Sequence, residues 1–88
     1  MKIIDNLIRT LHRAKIIHER LLKNKDKYDQ EIFYKLDKRL EEIIKNYNIV
    51  IRKYDIDEAK FLQELPEYEN MISNSLKELV YIKNTYKI

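Results

Sequence analysis

Among the side chains able to do chemistry, two histidines and a row of cations in the first third of the chain stand out. His18 falls at the centre of an apolar stripe formed by Leu7, Leu11, Ala14 and Leu21 on a wheel of about 100° per residue. An imidazole there is a candidate acid-base group or pH-sensitive element. The commoner role of such a residue is a core or interface histidine holding one hydrogen bond, and that is the reading we expect. His12 lies six residues away on another face, without the i, i+4 spacing of helical metal ligands. No metal or cofactor is therefore expected. Arg13 and His18 point apart on the wheel, and no catalytic residue is assigned.

Lys2, Arg9, Arg13, Arg20 and Lys27 share a narrow sector opposite the apolar stripe. Phosphates of DNA or RNA are the natural ligands of such a ridge, with binding that weakens as salt rises. A solvated face partly paired with the acidic segment 55–69 is the alternative. Residues 1–27 carry eight Lys or Arg and three acids, whereas residues 55–88 carry four and seven, and the whole chain carries only +3. The second helical segment is balanced by contrast, with Glu31 and Lys35, Lys38 and Glu42, and Glu41 and Lys45 at four-residue spacing. A small helical enzyme binding an anion in its core needs inward-facing cations, and only Arg39 lies near the edge of an apolar seam.

Several apolar side chains fall on outward positions: Ile16 within the basic ridge, Tyr34 and Ile49 on the second helix, and Tyr81 on the third. Brought together, they would serve as anchors for a protein partner. Tyr47, Tyr54, Tyr68 and Tyr86 fall on inner faces, where the ring packs and the hydroxyl reaches the edge of the core.

The elements that must position these groups follow from apolar spacing. Positions 3, 4, 7, 8, 11, 14, 17, 21 and 22 predict a first helix over about 2–23. A charged turn follows, in which Asp26 or Asp29 can cap the next helix. Phe33, Leu36, Leu40, Ile43, Tyr47, Val50 and Tyr54 alternate spacings of three and four, predicting a second helix over about 29–54. Asp55 and Glu58 have capping-box spacing for a third. Pro66 predicts a kink or fresh start, giving 56–65 and 66–86, with Tyr68, Ile72, Leu76, Leu79 and Tyr86 inward.

The expected fold is all-α: one domain over 1–88, an antiparallel three-helix bundle kinked or broken at Pro66. A helical hairpin that dimerises into a four-helix bundle is the alternative, because short loops make neighbouring helices antiparallel in either case. The 88 residues include no cysteine and no glycine, which removes disulfide frameworks, thiolate chemistry and glycine-rich phosphate loops. With neither a signal-peptide core nor an apolar run long enough for a membrane, a cytoplasmic location is expected. The functional expectation is a non-enzymatic interaction protein, an accessory subunit, adaptor or regulator with a protein partner and no membrane. Nucleic-acid binding through the first helix is the second reading, and a homodimer is compatible with both.

Overall fold

A computed structural model describes residues 2–88, except for the side chain of Lys2. The described residues form three long helices: α1 (Lys2–Lys23), α2 (Gln30–Ile56) and α3 (Glu58–Tyr86), with a short 3-10 turn at Lys25–Lys27 and no strand. None of these helices is long and apolar enough to cross a membrane. The molecule measures 45 × 20 × 19 Å.

Each helix stops where its free backbone groups find a partner. At the end of α1, Asn24 donates to the Arg20 carbonyl from both its backbone N–H, at 3.1 Å, and its side chain, at 2.8 Å. Asp29 begins α2 by accepting from the Glu31 N–H at 3.2 Å, so of the two aspartates in the turn it is the one that caps. The next boundary differs from the expected one. Asp57, rather than Asp55, accepts from the Lys60 N–H at 3.1 Å, and its own N–H donates to the Lys53 carbonyl at 3.0 Å. One extended residue thus closes α2 and opens α3, and α2 runs on past Tyr54 to Ile56. At the far end Lys87 takes a left-handed conformation, φ 53°, where a chain with glycine would ordinarily place one.

The core is the meeting of three apolar faces. Ile4, Leu7, Leu11, Ala14, Ile17 and Leu21 come from α1, and Leu36, Leu40, Ile43, Tyr47 and Val50 from α2. This is the seam expected for α2, with Phe33 and Tyr54 half-buried at its ends. The third face departs from expectation, since α3 buries Phe61, Ser75, Leu79 and Ile82, leaves Leu76 exposed and half-buries Tyr68, Ile72 and Tyr86. Pro66 lies inside α3 on its exposed side, between Phe61 and Ser75, which hold both halves of the helix on the core. Burying aliphatic and aromatic side chains of this size is worth about 1.5–3 kcal/mol each relative to leaving them exposed, and this supplies most of the cohesion.

Polar contacts set how the helices sit against one another. The Tyr47 hydroxyl donates to the Ile72 carbonyl at 3.2 Å, Lys53 Nζ donates to the Tyr68 hydroxyl at 3.2 Å, and Arg39 reaches Glu78. As residue numbers rise along α2, those of the α3 partners fall. Near the turn Tyr54 meets Phe61 edge-on, centroids 5.4 Å apart, and Phe61 stacks on Tyr68 at 5.7 Å. α1 packs along α2 extensively and against α3 only sparsely.

Candidate functional site

The basic ridge is shorter than the wheel suggested. Arg9, Arg13 and Arg20 are exposed on α1, but Lys27 lies in the 3-10 turn beyond the helix end, where the helical phase no longer applies. The side chain of Lys2 lies outside the described residues. Ion pairs among the described residues join His18 to Asp37, Lys35 to Glu31, and Arg39 to Glu42 and Glu78. None involves the three ridge arginines, so the acidic segment 55–69 does not neutralise them. At 1.5 Å per residue they extend over roughly 17 Å.

The charge balance expected on α2 is realised by different partners. Glu31 and Lys35 approach to 3.6 Å, but Lys38 turns to Tyr34, with Nζ 3.4 Å from the hydroxyl and 5.4 Å from the ring centroid. Glu42 pairs instead with Arg39 at 2.9 Å. Arg39 is thereby held between two carboxylates. Glu78 and then Glu42 push its pKa up further, opposed in part by burial.

Three of the expected anchors, Tyr34, Ile49 and Tyr81, are exposed. Tyr34 is 61% exposed near the start of α2, where it shares a shallow recess with Lys25 and Phe33, while Tyr81 is equally exposed on α3. Ile49, 44% exposed, lines a separate groove along α2. Ile16 is half-buried and is not the outward anchor expected. A different apolar surface lies between α1 and α3. Leu76 and Val80, one turn apart, are exposed at 38% and 47% and border a groove with Ile17 and Leu79 at its base and Arg13 and Lys83 at its rim.

His18 takes the expected part of a histidine with one polar partner, at the edge of the core rather than within it. Its Nε2 lies 2.6 Å from Asp37 Oδ1, and the two side chains are 17% and 27% exposed. Glu41, one turn beyond Asp37 on the same face of α2, completes a cluster whose ligand atoms all lie within 4.8 Å of one another. The cluster sits at one end of an open groove of about 680 Å³ that continues along α2 past Ile44, Lys45, Asn48 and Arg52 to Asp55. Sequence reasoning missed Asp37 and assigned Glu41 to Lys45. The available signal was a histidine within an apolar stripe, which needs a polar partner on the facing helix, together with two carboxylates at i, i+4 beside the α2 seam.

No protein-family model matches this chain, and neither a curated protein nor a solved structure is similar to it.

Proposed function

We propose that this chain is a non-enzymatic helical interaction protein, an accessory or regulatory component that docks a protein partner in the groove between α1 and α3. The observation that carries this reading is the exposure of Leu76 and Val80 beside the buried Ile17 and Leu79. Two large aliphatic side chains one turn apart are left in water over a floor that is already apolar, which is how a groove accepts the apolar stripe of a partner helix. Arg13 and Lys83 at the rim favour a partner with acidic residues flanking that stripe. We also propose that the three helices are arranged as an antiparallel bundle with α3 bent at Pro66. The falling order of α3 partners along α2 supports the arrangement, and the missing N–H of proline supports the bend.

The test is site-specific photo-crosslinking from Val80 in the native host, beside Leu76→Glu as a groove variant whose fold is checked by circular dichroism. Reproducible crosslinks to a protein that disappear in Leu76→Glu are expected. An absence of protein crosslinks, or crosslinks indifferent to the substitution, would sink the assignment.

A second reading, nucleic-acid binding through α1, is favoured by one observation: Arg9, Arg13 and Arg20 are exposed and, among the described residues, have no carboxylate within ion-pair distance.

A further inference from the structure

We propose that His18, Asp37 and Glu41 form a divalent-cation site that ties α1 to α2, taking a first-row ion of the zinc type through one imidazole nitrogen and two carboxylate oxygens. The three ligand atoms lie within 4.8 Å of one another. They come from two helices, and they face the same space.

The chemistry of the set fits such an ion. Imidazole suits zinc, iron, copper and nickel, and carboxylate oxygen is accepted by zinc at about 2.0–2.2 Å. Ligands at that radius stand roughly 3–4 Å from one another, so the cluster needs only side-chain rotations to close on an ion. The His18 and Asp37 contact at 2.6 Å must open slightly, exchanging one hydrogen bond for two metal bonds. Two carboxylates carry the charge that a divalent ion neutralises.

The surroundings fit as well. His18 and Asp37 are mostly shielded from water, and Asp37 and Glu41 are fixed one turn apart on a helix that continues well beyond both. Glu41 is exposed and forms the side of the cluster open to solvent. Three protein ligands leave a tetrahedral ion one position for water, toward the open groove. Lys45 and Arg52 line that groove as competing positive charge, but among the described residues neither comes within 4.0 Å of a carboxylate.

Isothermal titration of the full chain with Zn²⁺ at neutral pH tests the proposal, with Co²⁺ absorption as a report on ligand number. One equivalent of Zn²⁺ should bind with micromolar or tighter affinity. Saturating metal should raise Tm by roughly 10 °C, because an ion that binds only the folded chain stabilises it by mass action. Glu41→Gln alters an exposed side chain and leaves the fold intact, and it should weaken binding by at least about tenfold. His18→Gln and Asp37→Asn should abolish it, each checked for folding by circular dichroism. His12→Gln, at an exposed histidine outside the cluster, should change nothing. Failure to bind below about 1 mM would overturn the site. So would binding that survives Glu41→Gln and Asp37→Asn, or that is lost in His12→Gln.

Discussion

Tyr47 shows how much one side chain does in a chain this small. It is fully buried at the centre of the α2 seam, and its hydroxyl spans to the Ile72 carbonyl of α3. Burial pushes the phenol pKa up, because the phenolate would lose its hydration, and the neighbouring Ser75 hydroxyl opposes part of that rise. The sign of the pH dependence follows. The folded chain holds this proton more tightly than the unfolded one, so the stability involved is fully present below the ordinary tyrosine pKa of about 10 and is lost as pH rises through that value toward the folded one. Tyr47→Phe should therefore flatten the loss of stability above about pH 10 while lowering stability at pH 7 by about 1 kcal/mol, since the Ile72 carbonyl loses its donor. Urea midpoints measured at both pH values check both halves of this expectation. At this scale the sequence is informative about burial and poor about partners. The seam periodicity marks Tyr47 as inward, and His18 reads as needing one polar neighbour. That the neighbour is Asp37 depends on the register between α1 and α2, which no local spacing encodes.

At the scale of the helix, α2 and α3 were legible to different degrees for a physical reason. Leu36, Leu40, Ile43, Tyr47 and Val50 are all large, apolar and buried, so their alternation of three and four reports one continuous face. In α3 the buried set includes Ser75, a small polar residue beside Tyr47, while the larger Leu76 next to it is exposed. Hydrophobicity alone therefore points to the wrong neighbour. The capping misread has a similar origin. Asp55 and Asp57 carry the same group, and the choice between them is made by where α2 runs out, two residues later than its last aromatic. Pro66 offers a direct test of α3. It cannot donate to the Leu62 carbonyl, and its ring crowds the preceding turn. Pro66→Ala should raise stability by roughly 1–3 kcal/mol, less a few tenths to 1 kcal/mol that proline contributes by restricting the unfolded chain. Chemical denaturation measures it, and a loss of stability would mean that α3 does not continue as a regular helix through this position.

For the whole molecule, the distribution of charge matters more than its total. A net charge of +3 is small, yet its positive excess lies toward the N-terminal third, and among the described residues the arginines of α1 have no ion-pair partner. If these three arginines track phosphates, binding to duplex DNA or RNA should fall with a slope of about −3 in log affinity against log salt, since each neutralised phosphate contributes roughly −0.9. Charge reversal at Arg9, Arg13 and Arg20 should abolish it. Fluorescence titrations at about 50 and 200 mM salt make the comparison. A slope near zero, or binding that survives the reversal, would remove the nucleic-acid reading. The overall helical architecture was legible because every segment between Lys2 and Tyr86 is either periodic or a short charged break. The grooves were not, because each is the space between helices whose separation depends on packing.

The single extended residue at Asp57 also bears on how the chain acquires its structure. With no loop to close, the first tertiary contact available to α2 and α3 is the edge-on meeting of Tyr54 and Phe61, only seven positions apart in the chain. Loop-closure entropy rises with the length of chain enclosed, so among the contacts between α2 and α3 this aromatic corner costs the least chain entropy, and the bond from Tyr47 to Ile72, with a sequence separation of 25, costs more.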